Sequence, residues 1–229
     1  MRSTKNPTQP EENGRTAFSA LCEVGAGLKY GSGNLAERQR EAVMSTTLRL
    51  SLDEYDQMIA RGAFVGIDRH IELIRGEMRE MNPAGPLHGD LIAYLTTWSA
   101  KHADLSRCFI TGQSGVDMPD VGSRPEPDVF WIHRRRYRDR HPATTDVLLA
   151  MEVSDSSLEY DLGEKAMLYA EAGLTEYWVV DVPGQQVHVM RNPSATGFQD
   201  ISVIRKGQTA SPLVQPDARL DVRDLFDGE

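Results

Sequence analysis

The chain has 229 residues, with 25 Lys and Arg against 34 Asp and Glu and a formal net charge of -9. That length supports a real core, with one domain plus an appendage as the natural division. No apolar run reaches the roughly 20 residues that cross a bilayer, the first residues lack the apolar core of a secretory signal, and Cys22 and Cys108 form neither a disulfide framework nor a zinc spacing.

A cytoplasmic protein with free thiols and no membrane association is therefore expected. The acidity argues against a surface that is basic throughout, although phosphate binding depends on local patches rather than on net charge.

Residues 1–44 differ in character from the remainder of the chain. Gly, Ser, Thr, Asn and Pro dominate as far as Asn34, with no sustained period, which predicts a disordered extension. Leu35 to Met44 reads as a short polar helix, and Met44 stands so close to the patterned segment that it is a candidate true start. The domain proper is assigned to residues 45–229.

Ser51 caps a helix that should end near Arg61-Gly62, with Glu54 completing a capping box. Ile71–Ile74 and Met78–Met81 flank Arg75-Gly76-Glu77 and read as a hairpin. Leu87 to His102 is an amphipathic helix carrying Leu91, Ile92, Leu95 and Trp98 on one stripe. Strands are predicted over Cys108–Met118, Asp128–Ile132 and Asp146–Val153. A helix over Asp161–Ala172 comes next, closed by Gly173. Tyr177–Val182 and Gln186–Met190 form a second hairpin, succeeded by a strand at Ile201–Ile204 and an ordered tail at Leu220–Phe226. The pattern predicts an α/β fold with a mixed sheet flanked by helices and containing antiparallel hairpins.

Two carboxylates stand out. Glu152 ends an apolar run that reads as a strand buried on both faces, where it either binds a metal or, if the strand surfaces there, is solvated or paired with an arginine. Asp128 follows Pro127 and opens a strand. Alone it would be an ordinary loop aspartate, and only its coupling to Glu152 suggests a ligand. Asp161, Lys165 and Tyr169 are spaced to share one helix face, as either an exposed ion pair or part of a site. His88 opens its helix as a site residue or a cap, and Glu77 or Glu72 on the hairpin offers a further carboxylate. The run Arg134-Arg135-Arg136-Tyr137-Arg138 is the strong basic cluster. It reads equally as a phosphate-contacting footprint at the edge of a cleft or as a solvated loop. Trp131, Trp178 and Val179-Val180 read as core.

Glu72-Leu73-Ile74, Gly76-Glu77, His88, Pro127-Asp128, Glu152-Val153-Ser154, Gly163-Glu164-Lys165, Tyr169-Ala170 and Glu176-Tyr177-Trp178 together resemble the Uma-two family over nearly all of residues 46–226. That family is placed among the PD-(D/E)XK, restriction-endonuclease-like folds. The resemblance implies a Mg²⁺-dependent endonuclease acting on DNA, with Mn²⁺ able to substitute. Asp128, Glu152 and the Val153 carbonyl would hold the ion, and Lys165, Glu77 and His88 would complete the catalytic set. Many members of the superfamily carry lysine two residues after the glutamate. Here that position is Ser154, and the family pattern implies that Lys165 on the following helix takes the role. A homodimer suits a cut in both strands of a duplex. The rival readings are a non-catalytic nucleic-acid or protein interaction module on a nuclease-like scaffold, and a metal-dependent hydrolase of a small phosphoester.

Overall fold

In the computed structural model the described residues are 47–81 and 85–228. The expected disordered extension and its short helix lie outside them. Helix α1, Leu52–Ala60, starts where the sequence signals it: Ser51 Oγ accepts from the Glu54 amide at 3.3 Å, and Glu54 Oε2 accepts from the Ser51 amide at 2.9 Å. Strands β1, Ile71–Ile74, and β2, Glu77–Glu80, form the expected antiparallel hairpin. Its two turn residues, Arg75 and Gly76, have φ of 51° and 77°. Positive φ at both positions is what a tight two-residue hairpin turn needs, and glycine at the second meets it without strain. Helix α2 spans Pro86–His102 and buries Leu91, Leu95 and Trp98.

The main sheet contains β3, Cys108–Thr111, β4, Val129–His133, β5, Val147–Ser154, β6, Glu176–Asp181, β7, Gln186–Ser194, and β8, Gly197–Arg205, in that spatial order. Every neighbouring pair is antiparallel except β5 and β6. A parallel pair requires a long crossover. Here it is helix α3, built from Leu158–Tyr160, a π-wound stretch Asp161–Lys165, and Ala166–Glu171. Gly173 closes it with φ of 79°. Two short strands, β9 at Thr209–Ala210 and β10 at Leu220–Asp221, and helix α4, Val222–Asp227, end the fold.

Strand β5 is covered on both faces. Leu149, Met151 and Val153 pack with Trp98, Trp131 and Trp178 on the α2 side. Ala150 packs with Phe130, Tyr169, Tyr177 and Val179 on the α3 side. Because strand side chains alternate, Glu152 and Ser154 continue the Ala150 row and aim at α3. The sheet thus carries two polar residues under α3 at the end of an apolar row.

One predicted strand is too long. Pairing of β3 stops at Thr111 instead of reaching Met118. The cause is backbone crowding at Gly112, where a Cβ would lie 2.1 Å from the Asp128 carbonyl oxygen. Gln113, with φ of 49°, then turns the chain while its amide donates to the Pro127 carbonyl at 2.8 Å. This contact fixes the residues just before β4 and so the position of Asp128. Gly112→Ala should therefore destabilise the fold by about 1–3 kcal/mol, the usual penalty for overpacking. Urea denaturation measures it, and an unchanged midpoint would mean that the close approach is not a constraint.

Candidate active site

Asp128 directly precedes β4, and Val129 pairs with Met151 of β5. The antiparallel register therefore sets Asp128 beside Glu152 and Val153, and Asp128 Oδ2 accepts from the Val153 amide at 2.8 Å. His88, in the first turn of α2, brings Nε2 to 3.3 Å from the same carboxylate oxygen. From α3, Lys165 places Nζ 2.8 Å from Glu152 Oε1 and 3.4 Å from Glu72 Oε1. The Tyr169 hydroxyl donates to Glu152 Oε1 at 3.0 Å. Ser154 Oγ donates to Asp161 Oδ2 at 2.7 Å, and the Tyr177 hydroxyl donates to the Asp161 carbonyl at 3.2 Å. The Glu126 amide donates to Glu72 Oε1 at 3.1 Å.

Beside this cluster is a cavity of about 350 Å³ lined by the carboxylates of Glu72, Glu126, Asp128, Glu152, Asp155 and Asp161, with Lys165, His70 and His88 as the basic side chains. Burial pushes Glu152 well above the ordinary carboxyl range. Lys165 opposes that shift, and the neighbouring acids reinforce it. For Lys165, burial favours the neutral amine, but Glu152, Glu72 and Asp161 outweigh it and hold the ammonium well above its ordinary value. The hydrogen bond with Asp128 raises His88, more than burial lowers it. Among the described residues, the buried side-chain polar atoms without a partner are Glu72 Oε2, His88 Nδ1 and the Tyr160 hydroxyl. All three residues line this cavity. An unmet buried polar group costs about 1–3 kcal/mol, and these three gather around one cavity.

Asp128, Glu152, Val153, Lys165 and His88 all line the cavity. Glu77 does not. Near the hairpin turn its carboxylate meets Arg49 at 3.1 Å and Arg79 at 3.2 Å, and the hairpin acid that enters the cavity is Glu72. Glu72 shares a strand face with the fully buried Ile74, a signal present in the alternation itself.

The basic run lies away from this cavity, as its reading as a loop expects and its reading as a footprint beside the site does not. Asp128 stands before β4 and Arg134, Arg135, Arg136, Tyr137 and Arg138 come after it, so roughly 20 Å of strand separates Asp128 from Arg134, the first of them. None of them lines the cavity. Arg135 and Arg140 instead hold Asp146 at 2.5 and 2.7 Å, and they lie 5.0 and 5.5 Å from the Tyr137 ring centre. Arg134 donates to the Leu105 carbonyl and sits over Phe109.

Tyr160 is one cavity residue that sequence periodicity misses. At about 100° per residue, five positions separate it from Lys165 by roughly 140° around an α-helix. The π-wound stretch between them closes i to i+5, which returns Tyr160 to the Lys165 side.

The donor set bears on a metal ion. Among the described residues no group of three or more His, Cys, Asp and Glu side chains is gathered to cage a cation. Mg²⁺ does not require a cage, because it retains several waters and takes one or two carboxylates. Asp128, Glu152 and the Val153 carbonyl are oxygen donors of that kind, and the unpartnered Glu72 Oε2 marks negative charge that the single ammonium does not balance. The residues fit a hard divalent ion.

A family model described as "Putative restriction endonuclease", Uma2, matches residues 52–223. The fold is similar to the crystal structure of a "putative nuclease belonging to DUF820" from Anabaena variabilis, with a TM-score of 0.62, 14% identity, and coverage of 78% of this chain and 98% of that one. At that identity the likeness is one of fold. No curated protein matches the chain.

Two measurements probe the cluster. Lys165→Met leaves Glu152 and Glu72 buried without their cation and should cost about 3–5 kcal/mol of stability. Adding Glu152→Gln should recover part of that loss, and strictly additive losses would mean that the pair is not coupled. In an NMR titration His88 should change charge above its ordinary value of 6.5 and return toward it in Asp128→Asn. Because the folded value is raised, this pair adds stability that is complete below the unfolded value and is lost as pH rises through the folded one.

Proposed function

Because the chain belongs to the Uma2 family, whose members are described as putative restriction endonucleases, we propose that it is a Mg²⁺-dependent endonuclease hydrolysing DNA phosphodiester bonds at the Asp128–Glu152–Lys165 cluster. The observation that carries this reading is the meeting of Lys165 Nζ with Glu152 Oε1 at 2.8 Å inside a cavity that Asp128 also lines. Three residues spread over the chain converge on one small volume, as phosphoryl-transfer chemistry demands.

Asp128, Glu152 and the Val153 carbonyl would hold Mg²⁺, with Mn²⁺ as a substitute. When bound, the ion supplies a Lewis acid for a phosphate oxygen and lowers the pKa of coordinated water. The remaining roles belong to the chain's own side chains. The Val153 amide fixes one oxygen of Asp128. Tyr169 and Lys165 both donate to Glu152 Oε1, which orients that carboxylate. The Lys165 ammonium, kept charged by the surrounding acids, can direct a water lone pair toward phosphorus or offset charge on the phosphate oxygens. His88 would hold a proton at Nε2 beside Asp128 near neutral pH.

A duplex substrate calls for two copies related by a two-fold axis, and a homodimer is part of the proposal. A second reading, hydrolysis of a small phosphoester, draws on the charge distribution. Several arginines near the site are paired with acids: Arg75 with Glu171 at 2.8 Å, Arg79 with Glu164 at 3.1 Å, and Arg69 with Glu80 at 3.0 Å. A salt titration separates the two readings, since only a backbone binder loses affinity steeply with salt.

Plasmid cleavage should require Mg²⁺ or Mn²⁺ and stop in EDTA. Asp128→Asn and Glu152→Gln should fall to the chelated level with unchanged circular dichroism, and Lys165→Met should lose about 10²–10³-fold in rate. Mg²⁺ should also lower the His88 pKa by drawing on the Asp128 charge. Full cleavage by both acid variants would remove the assignment.

A further inference from the structure

Tyr160 has no role in the chemistry outlined above, yet its surroundings are those of a ligand-binding group. It lines the cavity, and its hydroxyl oxygen is shielded from solvent without a hydrogen-bond partner among the described residues. Its two neighbours in the same layer are different. The Tyr169 hydroxyl is occupied by Glu152 at 3.0 Å and the Tyr177 hydroxyl by the Asp161 carbonyl at 3.2 Å. Burial pushes the Tyr160 phenol up to about 12, so the group stays a donor at any working pH.

Counting donors identifies the occupant. The carboxylates around the cavity, when ionised, can only accept. Lys165 has three N–H bonds, and Glu152 and Glu72 take two of them. His88 turns Nε2 toward Asp128. Among the uncommitted donors of the cavity are the Tyr160 hydroxyl and the third Lys165 N–H, which the π-wound stretch brings to one side of the helix. A ligand that meets both must present acceptor oxygens and tolerate an ammonium. The non-bridging oxygens of a phosphoester do so.

We propose that Tyr160 is a substrate-binding residue of this site, its hydroxyl donating to a non-bridging oxygen of the phosphate that Lys165 also contacts. The identity of the ligand rests on the phosphodiesterase reading, whereas the unpaired hydroxyl does not. The residue acts by binding and exchanges no proton. Its cost in the free protein is an unmet buried donor, and its gain appears only when the phosphate arrives. A tyrosine with a purely structural role has the opposite profile.

Tyr160→Phe tests this on the full chain, with thymidine 5′-monophosphate and Mg²⁺ as the probe in calorimetric titrations. The variant should bind the nucleotide about 10- to 100-fold more weakly, as expected for a lost hydrogen bond to a charged group. Its affinity for Mg²⁺ alone should equal the parent's, and its melting temperature without ligand should equal or exceed the parent's. That combination supports the proposal whether or not the parent cuts DNA. Equal nucleotide binding and equal DNA cleavage by parent and variant would overturn it while leaving the endonuclease reading intact. A clear fall in the ligand-free melting temperature would assign the hydroxyl a structural role and also overturn it. So would a parent that takes up no nucleotide.

Discussion

A buried ammonium held between two buried carboxylates is the constraint on which the rest of this molecule depends. Lys165, Glu152 and Glu72 have side chains exposed by 4%, 6% and 1%, and taking such charges out of water costs several kcal/mol each even after relaxation. Mutual attraction offsets that cost only if three separate elements arrive in register: the inner strand β5, the hairpin β1–β2 and the crossover helix α3. The aromatic layer supplies the register. Tyr169 and Tyr177, with ring centres 4.7 Å apart, pack between helix and sheet, and each spends its hydroxyl on an acidic residue of the site. Apolar packing thus sets the distance between sheet and helix, and the ion cluster uses that distance.

Burial alone does not separate site carboxylates from structural ones. Glu176 is as buried as any described residue, yet its oxygens are fully engaged by Trp178 Nε1, two Arg191 nitrogens and the Leu213 amide. It holds β6, β7 and the segment before β10 together and does not line the cavity described above. Glu72 is buried to the same degree and lines the cavity, but its Oε2 has no hydrogen-bond partner among the described residues. The difference lies in satisfied versus unsatisfied hydrogen bonding. It explains why Glu176-Tyr177-Trp178, a specific part of the sequence pattern, belongs to the scaffold.

Much of this was legible in the sequence because local rules and tertiary demands agree. The apolar run ending at Glu152 declared a strand buried on both faces, and the two-residue turn at Arg75-Gly76 declared the hairpin. What was not legible depends on departures from ideal periods. The π-wound stretch in α3 re-aims Tyr160, and a 3.6-residue repeat cannot anticipate that. The crowding at Gly112 ends β3 early through a contact with Asp128, sixteen positions away in sequence. The arginine run left two readings open, a footprint at the edge of a cleft and a solvated loop, and topology separates them. The run follows the strand that Asp128 precedes, and the length of that strand carries it away from the carboxylate.

Ser154 joins these threads. It stands where many members of the superfamily resembled here would carry lysine, and on sequence grounds the substitution looks like a loss. Its hydroxyl instead grips Asp161 at 2.7 Å, the first residue of the stretch that ends in Lys165. A short side chain in β5 leaves room for a long one from α3, and its hydrogen bond tethers the start of the segment that delivers it. The cationic group thereby rides on the crossover helix instead of the sheet. Its position then depends on how that helix is wound, so any change that relaxed the π-wound stretch would move the ammonium relative to Glu152 without touching either residue. A site built this way couples its electrostatics to one irregular turn of the crossover helix.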